Sequence, residues 1–253
     1  MDHPALRLLF TVFAVAVVAA GCETTGRPPA EPGGPIPWTA AIGRLDAVAE
    51  YSSCTATLVE PDVIVTAAHC LFPDSQQVEP SGLIFTPNVG AQRLPAVKVA
   101  SFIAVGVEAM DREHDELTPA EGDWAILRLA QPIANIKPIP VEAMRLEEID
   151  RRVKAGEVLS NLGYGTYGIG ISRRLHRTED CTLIADWRER SKKIGESVMI
   201  TTCPGVQGDS GGPILITDQA ENRRLVGVLI RAAHLPSGAT TVAVNATIFA
   251  QRF

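Results

Sequence analysis

Short apolar segments, separated by turn-forming residues, run through most of the chain. Valine, isoleucine, threonine and leucine dominate these segments, while glycine, proline, asparagine and aspartate lie between them. Because β-branched residues favour strands, this spacing predicts a β-barrel or a β-sandwich. Residues 142–154 are the best candidate for a helix, with a partial apolar stripe formed by Ile149 and Val153. The clearest predicted strands are residues 53–59, 63–66, 96–104, 124–129, 158–163, 214–217, 225–230 and 240–246.

The first 37 residues differ from the rest of the chain. Arg7 precedes an apolar run at residues 8–20, which is short for a bilayer span and typical of a signal-peptide core. Residues 23–37 contain five prolines and three glycines, a composition that forms an extended tether. We therefore expect a signal peptide over 1–21, a tether over 22–37 and one folded domain over 38–253.

The small residues 19–21 before Cys22 resemble a bacterial lipoprotein cleavage site, at which the cysteine sulfur takes a diacylglycerol. The alternative is an ordinary secretory signal that leaves Cys22 as a free thiol. Setting Cys22 aside leaves four cysteines, an even number that suits an oxidising compartment. We expect an exported protein anchored to the bacterial membrane through Cys22, on the periplasmic side or at the cell surface, rather than a freely secreted one.

The composition excludes several classes of protein. Of the 253 residues, 46% are hydrophobic and 21% are charged, which is ordinary for a globular domain. The net charge is -6 and no long basic run occurs, so nucleic acid is not an expected partner.

The strongest chemical signal is the six-residue string at 208–213, Gly-Asp-Ser-Gly-Gly-Pro. Glycines on both sides of Ser210 let the backbone turn sharply around a serine. A serine hydroxyl needs a base and also donors for the oxyanion that its attack creates. A bare glycine-rich turn is the alternative, but the full string followed by a predicted strand favours a nucleophile.

His69 is the predicted base. It follows the apolar run at residues 63–68 and precedes Cys70, which would hold it in place through a disulfide. A His-Cys pair also occurs in zinc sites, but no second pair lies at ligand spacing, so no metal is expected. The remaining histidines are expected at the solvated surface or in the signal peptide: His3, His114, His176 and His234.

Asp123 is the predicted third member of the site. A triad carboxylate must be buried against the histidine, and Asp123 opens the predicted strand 124–129. Asp111 and Asp115 are rivals, but both lie in a charged stretch that looks solvated.

These three segments together resemble the signature segments of the trypsin/chymotrypsin family. Residues 66–70, 123–127 and 208–213 occur in the family's order of histidine, aspartate and serine. Pro37-Trp38, the 162–165 segment and the 225–228 segment extend the resemblance over about residues 38–249.

The resemblance implies an all-β fold of two antiparallel six-stranded β-barrels, about 38–140 and 155–253, with the triad at their interface. It implies that His69 takes the proton of Ser210, and that the N–H groups of Gly208 and Ser210 hold the oxyanion. Four cysteines allow three pairings, and the resemblance selects Cys54–Cys70 and Cys181–Cys203. No cofactor is implied.

The chain departs from the family at its activation sequence. Ile-Val-Gly-Gly, whose freed amine pairs in the family with the aspartate before the nucleophile, is absent. Asp209 therefore needs another partner. An internal arginine or lysine, backbone donors, or an amine released by cleavage before Trp38 or Ala41 would serve.

The residues expected at the specificity pocket also depart from the family. Pro204 stands six residues before the serine, where trypsin-like enzymes have an acidic residue, so cleavage after lysine or arginine is not expected. Along the pocket strand stand Ile230 and Arg231. Arg231 either faces the pocket and favours acidic substrates or, as we expect, faces solvent on an edge strand.

The sequence thus predicts an exported serine endopeptidase that acts on a protein or peptide substrate. The alternative is a pseudoprotease that uses the same fold as a binding module, because fold alone does not fix function. An esterase of other lineage is disfavoured, since those enzymes carry a Gly-x-Ser-x-Gly elbow and place the histidine last.

Overall fold

The computed structural model describes residues 36–49, 51–73, 76–88, 95–106, 121–165, 174–236 and 238–253. Several sequence predictions lie outside these residues. They are the signal peptide, the lipid site at Cys22, the tether up to residue 35, and the surface positions of His3, Asp111, His114 and Asp115.

The first half of the fold is a closed antiparallel barrel of six strands in the order β1-β2-β3-β6-β5-β4. Apolar side chains such as Leu58, Phe85 and Leu127 are fully buried. The strands are β1 (Ile42–Ala47), β2 (Ser52–Glu60), β3 (Val63–Thr66), β4 (Leu83–Pro87), β5 (Val97–Val105) and β6 (Ala125–Leu129).

The second half is a six-stranded antiparallel sheet in the order β8-β7-β10-β11-β12-β9. The strands are β7 (Val158–Gly163), β8 (His176–Cys181), β9 (Val198–Thr201), β10 (Pro213–Thr217), β11 (Arg223–Leu235) and β12 (Gly238–Asn245).

The two edges of this second sheet meet just beyond β8. The backbone N–H of Thr202 donates to the Thr182 carbonyl at 2.9 Å, and that of Ile184 donates to the Ile200 carbonyl at 3.1 Å. A disulfide between Cys181 and Cys203 crosses the same gap. The predicted all-β fold with two six-stranded antiparallel sheets is therefore confirmed, although only the first sheet is a fully hydrogen-bonded barrel.

The predicted helix is shorter than expected, and a second helix was not predicted. Helix α1 spans Leu146–Lys154, because the N–H of Glu142 bonds the Leu225 carbonyl at 2.9 Å and keeps the preceding segment extended. Glutamates in its first turn and basic residues in its last turn favour the helix dipole. Helix α2 spans Trp187–Ile194. Its sequence is mostly charged and has no apolar stripe that would predict a helix, and ion pairs such as Arg190–Asp186 stabilise it.

The two halves share one continuous core of buried apolar residues. At the junction of site and core, the rings of Trp124 and Phe249 lie 5.7 Å apart, centroid to centroid. Among the described residues, no helix is long and apolar enough to cross a membrane.

Candidate active site

The imidazole of His69 is held by the carboxylate of Asp123. His69 lies in a short 3-10 turn, Ala68–Leu71, directly after β3, and Asp123 lies two residues before β6. Strands β3 and β6 are paired, with Thr66 opposite Ala125, so the two residues emerge side by side. The Nδ1 atom of His69 lies 2.7 Å from Asp123 Oδ2, and its backbone N–H donates to Oδ1 at 2.8 Å.

This contact sets the roles of the two ring nitrogens. Asp123 is 6% exposed, and an ionised carboxylate can only accept hydrogen bonds, so Nδ1 carries the proton. The other nitrogen, Nε2, is then unprotonated and can accept a proton from a nucleophile. The His69 side chain remains 31% exposed, which leaves this nitrogen within reach of substrate.

The turn that carries Ser210 comes from the second sheet and packs against the first barrel. The backbone N–H of Thr55, on β2, donates to the Ser210 carbonyl at 2.8 Å. Gly211 has a φ of 81° and lies so close to Thr55 and Thr66 that a methyl group there would overlap both. Since Thr66 is three residues before His69, this contact brings the nucleophile turn to the end of β3 that presents the histidine.

Thr55 joins the two halves of the molecule through its side chain as well. Its hydroxyl donates to the Gly208 carbonyl at 3.0 Å and accepts from the Tyr164 N–H at 2.9 Å. Tyr164 is itself buried, and this burial raises the pKa of its phenol against a smaller opposite effect of Arg44. The sequence interpretation missed Thr55, because nothing in a β-strand threonine marks a bond across more than a hundred residues.

Two backbone N–H groups beside the nucleophile are available to an oxyanion. Gly208 has a φ of 100°, which a glycine adopts without strain. The N–H groups of Asp209, Gly211 and Gly212 all donate to backbone carbonyls. Within the part of the chain that the structure describes, those of Gly208 and Ser210 donate to no protein acceptor. Such unpaired donors are what a tetrahedral intermediate needs.

The part of the chain that the structure describes contains two disulfides, Cys54–Cys70 and Cys181–Cys203. The first ties β2 to the turn that carries His69. The ring of His69 and the two sulfur atoms of that bond lie within 4.8 Å of one another. Because the sulfurs are bonded to each other, they are not thiolate ligands for a metal.

The predicted pocket residues lie on two facing segments. The Pro204 carbonyl accepts from the Asn161 side chain at 3.1 Å, while Ile230 is buried and Arg231 is half-buried. Strand β11 runs between β10 and β12 over its first half, before Arg231. Beyond the Pro213–Val228 pair, the ladder continues with β12 alone.

The structure corrects the expectation for His176. It was predicted as a solvated surface histidine, yet its side chain is 19% exposed and its Nε2 lies 3.1 Å from the carboxylate of Asp209. The sequence offered no signal for this contact, because strand β8 has no alternating pattern. His234, by contrast, is exposed as expected.

Two six-stranded antiparallel sheets, with a His-Asp pair on one and a serine in a glycine-rich turn of the other, define the class of chymotrypsin-like serine proteases. Residues 25–250 match the family model described as Trypsin. The chain therefore belongs to the trypsin family of serine proteases.

Two curated relatives support this assignment. The chain is 26% identical to granzyme E of Mus musculus over 194 residues, which cover 73% of each protein. It is 24% identical to granzyme F of Mus musculus over the same length and share. The predicted protease family and hydrolase class are thereby confirmed.

Proposed function

We propose that the protein is a serine endopeptidase that cleaves peptide bonds through an acyl-enzyme intermediate. His69 Nε2 takes the proton of Ser210 as its oxygen attacks the peptide carbonyl, and it returns that proton to the leaving amine. Asp123 keeps the imidazole in the required tautomer and stabilises the imidazolium. The N–H groups of Gly208 and Ser210 hold the developing oxyanion. A water molecule then hydrolyses the acyl-enzyme by the same proton transfers.

The observation that carries this proposal is the combination of a carboxylate-held histidine with two unpaired N–H groups at the serine. Either feature alone has a structural explanation. A protein that used this fold only for binding would have no need to leave two donors beside Ser210 without acceptors among the described residues.

A fluorophosphonate probe tests the proposal directly. The wild-type protein should be labelled at Ser210 at a stoichiometry near one, and Ser210→Ala should abolish labelling. Ser160→Ala is a matched control, since Ser160 is fully buried and a surface-directed probe should not reach it. A folded wild-type protein that is not labelled would favour the binding-module alternative.

A peptide substrate is proposed to pair with the second half of β11. The N–H of Leu229 donates to the Gly212 carbonyl at 2.8 Å, and the N–H of Gly211 donates to the Leu229 carbonyl at 2.7 Å. The residues after Leu229 therefore start next to the nucleophile turn. An extended peptide that adds to this strand would bring its scissile bond to Ser210.

The primary pocket is proposed to be shallow. A methyl group on Gly205 would lie 3.5 Å from the Ala232 Cβ atom and 2.8 Å from the Thr241 hydroxyl. The 203–208 segment thus packs directly on β11 and β12, where a deep pocket would need a gap. With Pro204 in place of an acidic residue, no charge is provided for a lysine or arginine side chain.

Profiling with a peptide library tests this specificity. Small residues, such as alanine and glycine, should be preferred on the acyl side of the cleaved bond, and lysine and arginine should be cut poorly. Arg231→Ala tests whether Arg231 faces the pocket or the solvent. If the wild type prefers acidic residues and this variant does not, Arg231 lies in the pocket. Efficient cleavage after lysine would contradict the shallow pocket.

We further propose that the protein is exported and anchored by a lipid on Cys22, with residues 1–21 removed and 22–37 acting as a tether. The motif at residues 19–22 and the even number of remaining cysteines support this. Intact mass of the mature protein should show a diacylated Cys22 at the N-terminus. An unmodified Cys22 would instead indicate a freely secreted protein.

A further inference from the structure

Asp209 is a fully buried carboxylate that the proposed reaction does not use directly. Its side chain is 1% exposed, although the residue stands next to the nucleophile. Buried charges in proteins are normally paired, so a partner for this group is required. The family's usual partner, an amine at an Ile-Val-Gly-Gly start, has no counterpart in the sequence.

The described contacts supply that partner. His176 Nε2 lies 3.1 Å from both carboxylate oxygens, and because the carboxylate can only accept, the ring donates an N–H. The Val206 N–H donates to Oδ2 at 2.9 Å. The other oxygen lies against Gly163 and Gly165, where any side chain would collide with it.

The main chain of Asp209 also makes hydrogen bonds within the turn that carries the two oxyanion donors. Its N–H donates to the Val206 carbonyl at 3.1 Å, and its carbonyl accepts from the Gly212 N–H at 2.8 Å. These hydrogen bonds within the turn from Val206 to Gly212 thus all involve Asp209. Gly208 and Ser210, whose N–H groups have no acceptor among the described residues, lie inside this turn.

We propose that His176 is a positioning residue that takes the place of the activation amine. By holding the Asp209 carboxylate, it fixes the turn in the conformation that directs the Gly208 and Ser210 N–H groups into one cavity. No new N-terminus is then needed to form the oxyanion hole. This inference rests on the proposed function, since it concerns the geometry of that reaction.

A matched pair of substitutions tests the role of His176. The side-chain amide of glutamine reaches the place of the histidine Nε2 atom, while that of asparagine reaches only the place of Nδ1. His176→Asn should lower kcat about 10²- to 10³-fold, the loss typical of an oxyanion-hole donor, with KM within about threefold. His176→Gln should recover at least about tenfold of that loss. Glu179→Gln, at an exposed glutamate of the same strand β8, should match the wild type.

A second measurement needs no variant. Fluorophosphonate-labelled wild-type protein should show, by intact mass, a chain uncut after its signal-cleavage site. Labelling confined to a form cut between residues 23 and 41 would overturn the inference, as would a His176→Asn variant with wild-type kcat. Equal losses in the Asn and Gln variants would also overturn it. If the wild type is active and both His176 variants keep its kcat, this inference alone is refuted. If the wild type is inactive, the proposed function is refuted as well.

Discussion

Asp123 accepts two hydrogen bonds from a single residue, His69. One comes from the ring at 2.7 Å and the other from the backbone N–H at 2.8 Å. The carboxylate is therefore fixed against the main chain of the residue whose ring it orients. A rotation of the imidazole would break the first bond without moving the carboxylate, because the second bond still holds the carboxylate to the main chain.

Replacing Asp123 with asparagine should abolish most of the activity. The asparagine oxygen would accept from the His69 N–H, so its NH2 group would face Nδ1 and donate to it. This favours the histidine tautomer that is protonated on Nε2, and that tautomer cannot act as the base. The corresponding change in this family costs about 10⁴-fold in kcat, and we expect a similar loss from Asp123→Asn. The measurement is kcat on a small-residue peptide substrate.

Asp62→Asn is the control for this change. Asp62 pairs with Arg128 at 2.6 Å at the surface of the first barrel, and surface ion pairs contribute little. Its kcat should stay at the wild-type value. An Asp123→Asn enzyme that keeps a tenth or more of the activity would show that this carboxylate does not orient the base.

Two threonines of β2 should respond in opposite ways to the same substitution. The Thr55 hydroxyl bonds Gly208 and Tyr164, whereas the buried Thr57 hydroxyl has no hydrogen-bond partner among the described residues. Thr55→Val should lower the free energy of unfolding by about 1–3 kcal/mol, because it leaves buried backbone groups unpaired. It should also lower kcat, since the turn at Gly208 loses an anchor.

Thr57→Val removes only an unpaired hydroxyl and keeps the shape of the side chain. Its free energy of unfolding should therefore equal or exceed that of the wild type. Urea unfolding of the two variants, followed by tryptophan fluorescence, measures the difference. Equal destabilisation by both substitutions would mean that the Thr55 bonds across the two halves contribute nothing.

The sequence predicts the parts of this molecule that depend on neighbouring residues. Strands such as β3 and β6 are short apolar runs, and each of the three signature segments is contiguous, so their chemistry is visible locally. Strand β8 was not predicted, because His176–Cys181 is polar on both faces. It forms only as the outer neighbour of β7, and that pairing, set by the whole sheet, is what brings His176 to Asp209.

Removing the Cys54–Cys70 disulfide should destabilise the protein and reduce its activity. The bond spans 16 residues, for which the loss of loop-closure entropy is about 3 kcal/mol. Cys54→Ala combined with Cys70→Ala should lower the free energy of unfolding by about that amount. Activity should fall as well, because Cys70 follows His69 directly.

The Cys181–Cys203 bond is the comparison for this prediction. It spans 22 residues, so its removal should cost a similar free energy of unfolding while leaving the turn of His69 in place. Thermal unfolding and kcat of both double variants separate the two effects. Loss of kcat in proportion to stability in both variants would show that neither bond acts on the site specifically.

The hairpin between β10 and β11 should give the protein a measurable acid sensitivity. The Asn222 side-chain amide and the backbone N–H groups of Asn222 and Ala220 all donate to Asp218, each at 2.9 Å. These bonds hold the pKa of the Asp218 carboxyl below its usual value. A carboxyl with a lowered pKa in the folded state stabilises the protein above its unfolded pKa of about 3.9, and this contribution is lost as the pH falls further.

The Tm of Asp218→Asn should therefore lie below that of the wild type at pH 6, and the two values should converge as the pH is lowered through about 3.9. Glu189→Gln, at an exposed glutamate of α2, should show no such convergence, and a difference for Asp218→Asn that persists unchanged at low pH would contradict the electrostatic explanation.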